Sequence, residues 1–257
     1  MNESEQQFSL TSGPLRSSII IELHTHHATQ AWVGRLPNRD ENIYGIIGVP
    51  RFITIMNVIR LDALADNPYA DMWMLLLEER LQTAREGMNA LTDSMQSVFD
   101  NVPEMMTVEG TASIKPARFP VFASTQLGFI AVYLLTDFDS LMRKALLAHH
   151  MALLTRAEMN ELRQKAGNFL RSILVQAQKY RRIAVTRQDI REGNARAVAA
   201  AEQAGPVPED ILDGSRRAVY APPLRLSDDS PVVAVDNLAT LSDGAPVGEE
   251  RDDEGIA

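Results

Sequence analysis

Apolar positions along the chain change from a two-residue to a helical period within the first 65 residues. In SIIIELH, Ile19, Ile21 and Leu23 fall on one side while Ser18, Ile20, Glu22 and His24 fall on the other, the alternation of a strand. After a polar loop containing GRLPNRDEN, the apolar residues from about Pro50 to Ala65 fit a buried helix. Asn67-Pro68 then predicts a helix start, with Asn67 as N-cap and Pro68 in the first helical position. Downstream, Ala70, Met74, Leu77, Leu81, Ala84, Met88, Leu91, Met95 and Val98 recur in alternating steps of four and three. Such a stripe either packs inside the domain or joins two copies of the chain.

Further along, TASIKPARFPVFA (residues 111 to 123) reads as a second strand or extended segment, and Pro116 and Pro120 suit an edge. The run QLGFIAVYLLTDFDSLMRKALLAHH is apolar nearly all round at its start, so that end is expected to be buried. Thr155-Arg-Ala-Glu158 is a capping box opening a helix whose inner stripe is Met159, Leu162, Ala166, Phe169 and Ile173. Thr186-Arg-Gln-Asp189 begins a last, shorter one. These elements give an α+β chain, mainly α-helical, with about five helices and a small β-ribbon. Residues 1 to 14 form a flexible start, 15 to 204 the helical body, and 205 to 257 a mostly disordered acidic tail rich in Pro and Gly. Within that tail VVAVDNLATL (232 to 241) is a candidate docking segment.

Composition changes this picture little. An apolar fraction of 45% fits a globular chain with a buried core. The absence of cysteine excludes disulfides, thiolate metal sites and Cys nucleophiles. No apolar run is long enough to span a membrane and the start is acidic, so a cytoplasmic protein without membrane contact is expected. Charge matters more. The net value is −9, yet residues 141 to 191 hold 11 Lys and Arg against 3 Asp and Glu, while residues 1 to 140 hold 9 against 17. One basic segment thus lies between acidic ones, as either a solvated face or a surface for an anionic partner.

Candidate chemistry is sparse. His24, His26 and His27 invite comparison with the His-x-His strand of zinc hydrolases, but those barrels need further ligands from several later strands. Only His149 and His150 remain, adjacent on a helix and therefore about 100° apart. His24 and His26 read instead as a solvated or partner-facing strand end. Dinucleotide and phosphate-loop motifs are absent, as is a GxSxG elbow. The short GIIG of Gly45 to Gly48 reads as a packing turn. Glu78, Glu79 and Arg80 read as solvated charge. Neither an enzyme nor a cofactor is indicated.

The ordered blocks LRSSIIIELHTHHATQAWVGR, IYGIIGVPRF, NPYADMWMLLLEERL, LGFIAVYLL with FDSLMRKALLAHH, VTRQDIREGNARA and PEDILDGSRRAVYAPPL resemble a protein family encoded on integrating conjugative elements of proteobacteria, over roughly residues 15 to 224. That family is similar to AcaB-like transcriptional regulators of conjugative plasmids. The resemblance implies a ribbon-helix-helix type of protein that binds double-stranded DNA as a homodimer and regulates conjugation-transfer genes. In such a dimer one strand from each protomer pairs antiparallel in the major groove. Two stretches are candidate ribbons, Ser18 to His24 and Ser113 to Phe119. Electrostatics favours the second, which projects Ser113 and Lys115 with Arg118 close by, although Pro116 removes an N–H donor. Arg143, Lys144, Arg181, Arg182 and Arg187 are the candidate phosphate contacts. The competing reading is a helical adaptor of the conjugation machinery that binds protein partners through the Ala70 to Val98 stripe and the acidic tail.

Overall fold

In this computed structural model residues 19–38, 40–100, 102–103, 105–106 and 110–224 are described. Ser18, the expected flexible start, the candidate docking segment at 232 to 241 and the rest of the tail beyond 224 lie outside them. The elements in order are β1 (Ile19–Leu23), α1 (His26–Val33), β2 (Gly34–Arg35), β3 (Ile46–Ile47), α2 (Val49–Leu64), α3 (Pro68–Phe99), β4 (Ala117–Val121), α4 (Gln126–His150), α5 (Arg156–Gln178), α6 (Arg187–Glu192), α7 (Ala195–Ala204) and α8 (Glu209–Leu212). The fold is mainly helical with two small antiparallel sheets, β1 with β4 and β2 with β3.

Helix α3 is the spine. Asn67 Oδ1 accepts from the backbone N–H groups of Tyr69 and Ala70, so the capping expected from Asn-Pro is present. Its 32 residues rise ~48 Å. Of the regular stripe, Ala70, Met74, Leu77, Leu81, Ala84, Met88 and Met95 are buried, and Leu91 and Val98 pack partly against the core. Helices α2, α4 and α5 cover that stripe, so it packs within the chain rather than against a second copy.

Around this spine, Phe52, Met56 and Ile59 of α2 and Leu127, Leu134, Leu135 and Leu141 of α4 fill the core. Thr155 and Glu158 form the expected capping box of α5. Its buried side is Ala166, Leu170, Ile173, Leu174 and Ala177, rotated from the expected stripe, with Met159, Leu162 and Phe169 only partly covered. Gly87 explains the close approach of α3 and α5, because a Cβ there would lie 2.3 Å from the Phe169 ring. The GIIG stretch is not a turn: Ile46 and Ile47 form β3, and Gly48 packs closely just before α2. A Cβ on Gly48 would lie 2.1 Å from the Trp32 carbonyl oxygen, and Gly34 opposite it has φ +86°.

Two expectations are corrected. Eight helices are present among the described residues, not about five, because α1, α7 and α8 are short. Gly193, in the left-handed region at φ 63°, stops α6, and Asn194 immediately caps α7 through Arg196 and Ala197. The boundary expected at Gly205 also moves. Residues 205 to 224 belong to the compact unit ending at Leu224, with Ile211 and Ala218 buried and α8 against α3. Glu78 and Glu79 help hold this segment, accepting from the Val219 N–H and pairing with Arg216, so they are not simply solvated.

Candidate nucleic-acid interface

The two candidate ribbons turn out to be each other's partners within one chain. Strands β1 and β4 pair antiparallel with Ile20 opposite Pro120 and Glu22 opposite Arg118. Of their inner row, Ile21, Leu23 and Val121 enter the core, and the half-buried Phe119 stacks on Trp32 at 5.1 Å, while Ile19 at the edge is exposed. The outer row carries Ile20, Glu22, Arg118 and Pro120, with Ile20 and Arg118 exposed. Arg118 reaches across to Glu22, with Nη2 2.7 Å from Oε1. Such an exposed pair holds little free energy, about 0–1 kcal/mol, so its arginine is readily shared with another anion.

Only Arg118 among the favoured readers lies on the strand. Ser113 and Lys115 precede it in an exposed turn, where the Lys115 N–H donates to Ser113 Oγ and the Ser113 N–H donates to His24 Nδ1. That bond joins the turn to the end of β1. His24 therefore holds the turn before β4, while His26 and His27 lie in the first turn of α1. Among the described residues no group of three His, Asp or Glu is placed to hold a metal.

Asp139 of α4 fixes this end of the ribbon. Its carboxylate is 2% exposed and accepts from the N–H groups of His24 and Thr25 and from Thr25 Oγ1, while Thr25 Oγ1 accepts from Ala28 N–H as N-cap of α1. One acid thus sets the exit of β1 and the start of α1. Arg143, one turn further on α4, lies 3.7 Å from the same carboxylate and donates to the Thr111 carbonyl. Its Nε is buried with no hydrogen-bond partner. Lys144 adjoins it, half-buried, beside a cavity of about 510 Å³ lined by the end of α3 and Thr111. Ser113, Lys115, Arg118, Arg143 and Lys144 therefore belong to one end of the molecule.

The remaining candidates do not join them. Arg181 is exposed and donates to the Gln178 and Tyr180 carbonyls. Arg182 pairs with the buried Asp62 of α2 at 2.6 Å. The same carboxylate accepts from the Tyr180 hydroxyl, which burial first and then this bond push well above its ordinary pKa. No hydrogen bond or ion pair links Arg181 or Arg182 to the ribbon among the described residues. Arg187 is a correction. It is 2% exposed, bonded to Asp66, to Asp71 and to the carbonyls of Ile211 and Leu212, so it is committed to the fold and unavailable to a phosphate. Residue type alone hides this, because an arginine at a helix start in a basic segment reads as solvated. Asp139 was missed for the same reason, although its spacing of four from Leu135 and three from Met142 on the inner side of α4 marks it as a core position.

The chain thus combines a helical body with a two-stranded ribbon and cationic side chains at one end. The family of AcaB transcriptional regulators matches residues 11–225, and the chain belongs to that family. That family is one of transcriptional regulators. A crystal structure of selenomethionine-containing AcaB from uropathogenic E. coli is similar over 77% of this chain and 95% of that one, at a TM-score of 0.49 and 12% identity. A comparison with curated proteins returns no match. Among the described residues no helix is long and apolar enough to cross a membrane.

Proposed function

We propose that this transcriptional regulator acts by binding double-stranded DNA as a homodimer, upstream of conjugation-transfer genes on an integrating conjugative element. Family membership across residues 11–225 carries the reading, and the cluster at the β1/β4 end supplies a contact surface. Lys115 and Arg118 are exposed there and Arg143 and Lys144 stand behind them. Ser113 offers a hydroxyl to a phosphate or base edge. The pairing of β1 with β4 inside one chain departs from the expected ribbon of one strand from each protomer, so the surface offered to DNA is an intrachain ribbon with Glu22 and Arg118 on its outer row. The adaptor reading loses one of its two surfaces, since the stripe is covered by α2, α4 and α5.

Fluorescence anisotropy tests the proposal, using duplexes from upstream of the element's transfer genes beside a scrambled duplex over ~50–200 mM salt. Preferential binding of one upstream duplex is expected. Replacing Lys115 and Arg118 with Ala lowers affinity for both duplexes and reduces the salt slope by roughly one for each phosphate no longer neutralised. An absence of binding at the lowest salt rejects the reading, and an unchanged slope in the variant removes these two residues from the interface.

A further inference from the structure

A second basic site lies away from the ribbon's outer row. Helix α1, the β2/β3 hairpin and α5 enclose a cavity of about 240 Å³, into which Arg35, Arg163, Arg171 and His27 project. Its remaining wall is mostly apolar, with Ile46, Ile47, Phe138, Leu170 and Leu174 beside the polar Gln30. Three guanidiniums around so small a volume repel one another, and among the described residues no Asp or Glu forms an ion pair with any of them. Burial first, and then the charges of Arg35 and Arg163, hold the Arg171 pKa below its ordinary value. Burial and Arg163 likewise lower that of His27.

Two of these side chains, Arg35 and Arg171, are held by hydrogen bonds. Arg35 donates through Nε and Nη2 to the Tyr44 carbonyl. Arg171 donates to Asn168 Oδ1 and the Gln164 carbonyl. Its guanidinium lies over Gly167, where a Cβ would come within 2.7 Å of Nη1. On α5 the spacing Arg163, Gly167, Arg171 puts two cations and the gap between them on one side of the helix. Arg35 and Arg171 are exposed and Arg163 is half-buried, so the three head groups are open to solvent with no acid paired to them among the described residues, an arrangement that suits an oxyanion because planar guanidinium forks match phosphate oxygens.

We propose that this cavity seats the phosphate of a small phosphomonoester, with Arg35, Arg163 and Arg171 around the oxyanion and the molecule's short body against Phe138, Leu170 and Leu174. The volume falls just below the usual ~300–1,000 Å³ of ligand pockets, which fits a phosphate with a body of few atoms. Helix α1 forms one wall and begins at the turn that Asp139 ties to β1, so the seat adjoins the element that leads out of the ribbon. The seat itself does not rest on the DNA-binding reading.

Calorimetric titration of the full chain with inorganic phosphate, pyrophosphate and glycerol phosphate, without DNA, tests the seat. One saturable site is expected, weakened at least ~10-fold in Arg163→Gln/Arg171→Gln through the loss of charge-assisted bonds. It should be retained in Arg156→Gln/Lys165→Gln, which removes the same charge from the same helix outside the cavity. The first variant should melt no lower than the wild type in phosphate-free buffer, because it relieves repulsion. Gly167→Ala should weaken phosphate binding by displacing the Arg171 head group. Three results overturn the proposal: no saturable binding, equal binding in Arg163→Gln/Arg171→Gln, or competition by a random-sequence duplex that itself depends on Arg163 and Arg171. The last would assign these arginines to the DNA backbone. Because the direct titration contains no DNA and the duplex enters only in a separate competition, absence of saturable phosphate binding leaves the DNA-binding reading standing, and failure of the anisotropy experiment leaves the seat standing.

Discussion

Charged side chains of one type do different work in this molecule, and their surroundings decide which. Asp71 of α3 is fully buried and accepts from Arg187 and from Arg217 Nε and Nη2 at 3.0 and 2.8 Å. This cluster ties the start of α6 and the segment after α8 to the first turn of α3. Replacing Arg187 with Ala leaves Arg217 to neutralise Asp71, so the loss should fall near the low end of the range for a broken buried pair, about 3 kcal/mol. Urea unfolding followed by circular dichroism measures it. DNA affinity of the fraction that remains folded should be unchanged. A stable Arg187→Ala variant with weakened DNA binding would restore this residue to the interface. Nothing in the sequence around VTRQD separates Arg187 from the exposed Arg181, because burial here depends on a carboxylate more than a hundred residues away.

Elements were legible wherever their signals are local. The Asn67-Pro68 start, the Thr155-Glu158 box and the four-three spacing of α3 are written within a few residues, and each matches the structure. The β1 to β4 pairing spans nearly a hundred residues and leaves no local trace, so two halves of one ribbon read as alternatives. The short α7 and α8 depend on docking, α7 through the buried Ala197 and Ala200 and α8 through Ile211, more than on propensity. The contact between α3 and α5 was hidden too, although Gly87 in an otherwise strong helix former marks a close approach. Gly87→Ala tests that reading of the contact. On propensity alone it would stabilise α3 by roughly 0.5–1 kcal/mol. Against Phe169 the added methyl has no room, so a net loss of about 1–3 kcal/mol is expected. A higher melting temperature for Gly87→Ala would mean that the ring swings aside freely and that this contact does not set the helix spacing.

On the scale of the whole molecule, a chain of net charge −9 must bring its few outward cations to a polyanion while keeping its carboxylates away. The ribbon's outer row concentrates that conflict, because Glu22 lies directly opposite Arg118 and pairs with it. If DNA meets this end, Glu22 both competes for the arginine and repels the phosphates. Glu22→Gln should then strengthen binding to specific and scrambled duplexes alike, by roughly 2- to 5-fold, the equivalent of one exposed charge pair. Stability should hardly change, since the side chain is exposed and Gln keeps its length. The gain should shrink as salt rises from ~50 to 200 mM, because salt screens interactions between exposed charges. Anisotropy titrations of the two proteins side by side read the effect. Unchanged affinity in Glu22→Gln would turn the DNA away from the ribbon, leaving Arg181 and Arg182 at the far end of α5 as the next surface to test. A loss confined to the specific duplex would make Glu22 a reader of base edges, accepting from a cytosine amino group in the major groove.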